Sequence, residues 1–332
     1  MVSSQTYWPT RLFDPEADFY KLLTLRNEME AIEPTDGDTS AESLRSTLKW
    51  HGHDPAHDRW FASTPDDPDK LIGYAWVFAQ SAARVVANIR VHPDWRRRGV
   101  GSALLARTKD RAREYGADHM TEGRWAHMEP AHHFLLHHGF TPVGNNRFLV
   151  ASADAPLPEP VWPIGYSVRP FAQVQDLAVL ARACNRCYHD MWGHAENDST
   201  AVDEARLAAG MRDAPEFYNP DAIFIAFAPD GDVAGVCYGR AFGHEGNDPA
   251  SGRPKKVVDS PGVVPELRHL GLQRPLTLTT MRWLRDNVGE GPIELWSYGD
   301  REEAVDIYAK LGFVLTPNRH LIEYRLELPN AG

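Results

Sequence analysis

The chain has 332 residues, enough for two domains of ordinary size. Its 42% apolar and 24% charged content fits a folded globular protein and argues against a collagenous or wholly disordered one. Lys and Arg number 35 against 46 Asp and Glu, a formal charge of −11. That balance speaks against a general nucleic-acid or anionic-membrane binder and leaves room for a small anionic ligand on a local basic patch. No apolar run approaches the roughly 18 residues that span a bilayer. The opening Met1–Trp8 lacks the charged-then-apolar order of a signal peptide, so a cytoplasmic protein is expected.

Taken in chain order, residues 14–33 read as a helix opening at Asp14-Pro15. His51, His53 and His57 fall in a Pro/Asp-rich segment and read as loop residues. Residues 71–79 and 84–91 are apolar and β-branched, as strands are. Residues 102–115 read as a helix, with Leu104, Leu105, Thr108, Ala112 and Tyr115 at helical spacing and Gly116 as its C-cap. A short strand near 117–122, a helix near 129–138 and a strand near 146–151 follow. His127, His132, His133, His137 and His138 crowd the later helix. No carboxylate or Cys at matching spacing completes a metal set there, so no metal is expected. Asp154–Pro160 carries three prolines and reads as a semi-rigid linker.

Beyond the linker the pattern starts again. Val91-His92-Pro93-Asp94-Trp95-Arg96-Arg97-Arg98-Gly99-Val100-Gly101 is echoed by Val263-Val264-Pro265-Glu266-Leu267-Arg268-His269-Leu270-Gly271-Leu272-Gln273, a shift of 172 positions (271 − 99). Gly139-Phe140 is matched by Gly312-Phe313, Leu71–Val77 by Val233–Gly239, and Thr10–Phe13 by Val168–Phe171. About ten extra residues of the second copy lie in a Gly/Pro/Asn-rich loop, Gly243–Pro254. Thr277, Met281, Leu284 and Val288 line a second helix with Pro275 in its first turn. The expected division is 1–153 and 164–332, joined by linker 154–163. The class is α/β with a mixed sheet in each half. Cys184 and Cys187 form a C-x-x-C in a helical stretch. With no second pair they read as ordinary helix cysteines, and three cysteines with Cys237 are too few for a disulfide framework. Tyr188, His189, Met191 and Trp192 form a group open to two readings, binding of an aromatic or apolar substrate or packing of the two halves together.

The segment Arg96–Gly101 carries the chemistry. Pro93 stops a strand, three arginines follow, then Gly-Val-Gly opens a helix. Glycine lets backbone N–H groups approach an anion, the helix start adds unpaired donors and its dipole, and arginine adds forked charge. Alone, an R-x-x-G-x-G is as readily a tight turn beside a solvated face. Here strand, Pro, loop and helix stand in order, and a Gly-Phe follows some forty residues on.

That combination resembles the GNAT superfamily of acyl-CoA-dependent N-acetyltransferases, whose signature [QR]-x-x-G-x-[GA] is met by Arg96, Gly99 and Gly101. The resemblance spans both halves. It implies two tandem GNAT-like domains, each a mixed, mostly antiparallel sheet flanked by helices. It implies acetyl-CoA as co-substrate, held by Val91, Arg96, Arg97, Arg98, Gly99, Val100, Gly101 and Ser102, and a small-molecule amine as acceptor.

The copies are unequal. In the second, Gln273 stands where Gly or Ala belongs, so weak or no CoA binding is expected there. Yet that copy keeps the family's A-x-x-x-Y-x-x-x-G-F as Ala304, Tyr308, Gly312 and Phe313, whereas the first has Leu135 at the Tyr position. The position of the family's Asn is Met128 in one copy and Arg301 in the other. Catalysis by the second half through Tyr308, catalysis by the first half through another group such as Glu122, or loss of activity are the three accounts. The first half is favoured, because cofactor binding is harder to replace than a proton carrier. The expected activity is N-acetyl transfer to a small amine. A non-catalytic CoA-binding protein and a protein lysine acetyltransferase are the alternatives, and a monomer or homodimer the expected state.

Overall fold

A computed structural model describes residues 7–35, 39–49, 53–191, 202–213, 218–242, 254–299 and 302–329. His51, Trp192, Arg301 and residues 243–253 lie outside the described residues. The chain divides into two compact units, Met1–Val143 with Ile322–Gly332, and Gly144–Leu321. The cut thus falls within the strand Thr141–Ala151 rather than in the Pro-rich segment at 154–163, and the last residues of the chain belong with the first unit.

In the first unit the elements are β1 (Thr10–Leu12), α1 (Phe19–Ile32), α2 (Ala41–Thr47), β2 (Arg59–Ser63), β3 (Leu71–Ala79), β4 (Arg84–Val91), α3 (Val100–Glu114), β5 (His119–Trp125) and α4 (Glu129–His137). Helix α1 starts five residues later than the sequence suggests. The Asp14 carboxylate takes the N–H groups of Glu16 and Ala17, closing a separate turn before the helix can begin. β1 to β4 form an antiparallel run. α3 then crosses over, and β5 pairs with β4 in parallel. Leu104, Leu105, Thr108 and Ala112 of α3 are buried, as their spacing predicts. They pack on the sheet face that carries Ala75, Val77, Val85 and Ala87.

The second unit contains most of β6 (Thr141–Ala151), then β7 (Ser167–Pro170), α5 (Phe171–Val174), α6 (Leu177–Tyr188), α7 (Glu204–Asp213), β8 (Ile223–Phe227), β9 (Val233–Phe242), β10 (Lys255–Val263), α8 (Gln273–Val288), β11 (Ile293–Tyr298), α9 (Glu302–Lys310) and the first part of β12 (Phe313–Glu327). Its strands run β6-β11-β10-β9-β8-β7, with β10 and β11 parallel and the other pairs antiparallel. Each unit is therefore a mixed, mostly antiparallel sheet flanked by helices. Cys184, Cys187 and Cys237 are buried free thiols, and burial pushes Cys184 up to about 11. No helix among the described residues is long and apolar enough to cross a membrane.

One buried acid anchors the first unit. Asp58, just before β2, has no solvent exposure. It accepts from Arg111 Nε and Tyr115 Oη, both at 2.8 Å, and from the Asp54 N–H at 2.7 Å. Burial raises its pKa, but His53, Arg111, the Asp54 amide and Tyr115 outweigh that and bring it down to about 2. A carboxylate whose folded value lies below its unfolded value of about 3.9 stabilises above that value and loses the contribution as pH falls. Denaturant unfolding should therefore show about 2 kcal/mol of stability lost between roughly pH 4 and 2. Asp58→Asn should flatten that slope, and an unchanged slope would contradict the assignment.

Candidate active site

The expected anion loop lies where the sequence puts it, but its side chains divide the work differently. β4 ends at Val91, a 3-10 turn spans Pro93–Trp95, and α3 begins at Val100. Gly99 is the N-cap with φ +91°, a left-handed conformation that glycine adopts without strain. Arg97 is left-handed too, at φ +61°. Having no side chain, Gly99 cannot cap the helix, whose first bond at this end runs from the Ala103 N–H to the Gly99 C=O. The leading amides of α3 therefore face outward as donors. Gly101 adds no side chain of its own and lies against the Phe134 ring, from which a Cβ there would stand 3.0 Å.

Of the three arginines, Arg97 and Arg98 are exposed. Arg98 lies over the Trp95 ring at 4.8 Å, and its C=O accepts from the Trp8 indole. Arg96 is occupied. Its guanidinium grips both oxygens of Glu33, just past α1, and its Nε donates to the Val91 C=O at 3.2 Å. It latches the loop to the strand end and leaves phosphate binding to its neighbours. Val100 is buried beneath the loop. Ser102 Oγ lies 3.0 Å from His138 Nε2. Burial, His137 and Lys109 hold His138 below its usual range, so that ring is neutral near pH 7.

Below the loop the parallel strands part. β4 and β5 pair at Arg84↔His119, Val85↔Met120 and Val86↔Thr121, and no further. Beyond that point side chains of β5 replace the ladder. Glu122 Oε1 accepts the Ile89 N–H at 2.9 Å, and Arg124 Nη2 donates to the Ile89 C=O at 2.7 Å. Glu122 is ion-paired to Arg124 and has no side-chain exposure. The sequence reading set it beside the cleft as a proton acceptor; its place in the structure is this buried wedge. Its Oε2 is buried without a hydrogen-bond partner among the described residues.

The other sheet face carries a cavity of about 300 Å³. Strand alternation sets its walls. Arg59 stands opposite Trp76, Trp76 opposite Asn88, and Tyr74 opposite Arg90, all on one face. Trp125 of β5 and Arg26 and Glu30 of α1 also line it. The sequence reading missed these residues. Arg59 and Arg90 could have been found as arginines set within apolar strands.

The second unit has the same latch and a different interior. Arg268 holds Asp190 with both Nη atoms, at 2.6 and 2.7 Å, and donates from Nε to the Val263 C=O. Arg96 and Arg268 are 172 residues apart, as are Val91 and Val263, so the latch repeats position for position. At the position of Gly101, however, Gln273 projects a side chain. Its Nε2 donates to the Pro261 C=O and, at 2.8 Å, to Tyr308 Oη. Tyr308 is fully buried. Tyr188 packs over Gly262, where a Cβ would meet its ring at 2.4 Å, and donates to the Ser260 C=O at 2.6 Å. Tyr188 is thus packing in its own unit.

Residues 21–140 match the model of the acetyltransferase (GNAT) family. A mycothiol acetyltransferase of Rhodococcus erythropolis is 32% identical over 260 residues, 74% of this chain and 79% of that protein. The protein of the same name from Saccharomonospora viridis is 33% identical, over 74% and 76%. That of Pseudarthrobacter chlorophenolicus is 29% identical over 92% and 93%. In fold the chain is similar to a GCN5-related N-acetyltransferase of Sphaerobacter thermophilus, at TM-score 0.69 and 21% identity over 97% and 96% of the two chains. It is also similar to a tandem GNAT protein from the clavulanic acid biosynthesis pathway, at TM-score 0.59 and 16% identity over 98% and 100%. With an open loop of the family's signature in one unit and its repeat in the other, the chain belongs to the GNAT acetyltransferase family.

Proposed function

We propose that the protein moves the acetyl group of acetyl-CoA to the amine of a small molecule, and that the first unit does the chemistry. One observation carries this reading. The start of α3 at Gly99–Ser102 is open, uncapped and flanked by exposed Arg97 and Arg98, whereas Gln273 projects at the corresponding point of the second unit. The CoA pyrophosphate then lies on the outward amides of α3, with Arg97 and Arg98 supplying charge and Arg96 fixing the loop. The acyl arm enters where β4 and β5 part. There the amine nitrogen bonds to the thioester carbonyl carbon, the C–S bond breaks with its electron pair leaving on sulfur, and the proton the amine gives up passes through water to that thiolate, giving the amide and CoA thiol. In this reading Glu122 is a positioning residue that holds the strands apart, and Tyr308 closes the core of the second unit. Three free cysteines suit a cytoplasmic enzyme.

Titration calorimetry should find one acetyl-CoA site per chain. Gly99→Glu puts a carboxylate on the pyrophosphate path and should raise the dissociation constant at least about thirtyfold, roughly 2 kcal/mol. Undiminished binding by that variant, with its thermal unfolding intact, would remove the loop from the site.

Tyr308→Phe separates the two halves. It leaves the Gln273 amide short of an acceptor, so it should lower the stability of the second unit by about 1 kcal/mol and leave kcat within twofold. A hundredfold loss of kcat would instead place the chemistry in the second unit.

A further inference from the structure

The first unit's cavity holds a cation that the described residues do not neutralise. Arg59 of β2 lines it and is only 3% exposed. Its Nε donates to His53 Nε2 at 2.8 Å, and its Nη2 donates to the Thr47 C=O and Oγ1 at 3.2 and 3.0 Å. All these acceptors are neutral. A ring nitrogen that accepts from a guanidinium carries no proton, and the other nitrogen of His53 faces the Val77 C=O at 2.8 Å. The neighbouring acid, Asp58, bonds Arg111 and Tyr115 and lies 3.4 Å from His53 Nδ1, so it offsets the Arg59 charge only across space and pairs with it in no direct bond. Among the described residues Arg59 Nη1 has no acceptor and Arg59 has no ion pair. Burial and the like charge of Arg26 pull its pKa down to about 10, the mark of a cation short of a counter-charge.

The rest of the cavity does not repair this. Arg90 of β4 lines it too, and its Nη1 bond goes to the Met128 sulfur at 3.7 Å, a weak acceptor. The two carboxylates in the lining are engaged elsewhere. Glu33 is gripped by Arg96, and Glu30 takes the N–H and, at 2.7 Å, the hydroxyl of Thr35. Among the described lining residues of this chain of formal charge −11, four are arginines and two are glutamates, and Arg96 and Glu33 pair with each other. Buried charge without a partner is costly, and such an arrangement is retained where a ligand supplies the partner. β2 and β4 are two strands apart, roughly 10 Å, within reach of two guanidinium arms. The guanidinium fork matches a planar carboxylate, while Tyr74 and Trp76 offer flat apolar walls.

We propose that the cavity takes amine substrates that also bear a carboxylate, which lies against Arg59 and Arg90 with the apolar body of the molecule along Tyr74 and Trp76. This rests on the first unit being the acetylating half and goes further, to the class of acceptor.

The test uses the full chain and matched pairs of amines that differ by the carboxylate. Tryptophan against tryptamine, tyrosine against tyramine and phenylalanine against phenethylamine span the apolar body. Thiol release from acetyl-CoA gives kcat/KM, and equilibrium binding of the N-acetylated products in the presence of CoA gives a readout independent of turnover. The carboxylated member should win by at least tenfold in both. Arg59→Gln should bring the ratio close to one. Arg90→Gln, at a half-buried position, should reduce it severalfold and decides the matter if the Arg59 variant does not fold. Equal performance within pairs, a ratio that survives both substitutions, or binding by neither member of any pair overturns the proposal. Acetyl-CoA titration of the same samples keeps the two readings apart. Acetyl-CoA bound without a carboxylate preference refutes this inference alone, whereas absence of acetyl-CoA binding refutes the site beneath it.

Discussion

Two parallel strands that separate leave backbone donors and acceptors with nothing opposite, and buried peptide groups must be paired. That constraint organises both copies of this chain. In the first, the exposed peptide is Ile89, and β5 answers with Glu122 for its N–H and Arg124 for its C=O. In the second, the equivalent position 172 residues on is Pro261, which has no N–H to satisfy, and its C=O is met by Gln273 from α8. The first solution comes from the neighbouring strand and leaves glycine at position 101, with no side chain reaching from the helix start toward the strand end. The second comes from the start of the helix itself and sets a side chain there. One demand of backbone chemistry, met from two directions, gives two copies with the same latch and different openness.

The difference extends to the acceptor side. Position 90 is an arginine facing the cavity, and its counterpart, Gly262, lies beneath the ring of Tyr188. Gln273 and Tyr188 together fill the corresponding interior of the second unit, where Tyr308 is fully buried. The first unit keeps a buried guanidinium, Arg59, with no ion pair among the described residues. Proteins give up local stability at sites of function, and the contrast between copies built on one plan shows which residues carry that cost. Repetition makes the comparison internal to a single chain.

Much of this was legible beforehand. β3 and β4 fall at the residues that their apolar, β-branched runs indicate, and α3 at the helical spacing of Leu104, Leu105, Thr108 and Ala112. The anion loop was legible because glycines, a proline and a helix start are signals local in sequence. The role of Arg96 was not, since its partner Glu33 is 63 residues away and no local pattern announces the pair. Glu122 was legible only as one candidate beside a surface-acid reading, because whether a strand-end acid faces water or wedges between strands depends on where the ladder stops. The start of α1 was missed because the Asp14 side chain competes with the helix for the same N–H groups. The cavity cations were missed because an arginine in a strand reads as a solvated residue until the register shows which face it shares. The limits of the compact units were missed because the strand beginning at Thr141 passes from one to the other, and composition carries no trace of that.

The central claim is that one unit is open to acetyl-CoA and the other is filled by its own side chains. The most direct measurement is a crystal structure of the full chain soaked with acetyl-CoA. The account predicts a single bound molecule, its pyrophosphate on the amides of Gly99–Ser102 and its acyl arm between β4 and β5, with Gln273 still bonded to Pro261 and Tyr308. Acetyl-CoA seated at Gly271–Gln273, with the Gln273 side chain displaced and the loop at Gly99 empty, would contradict it.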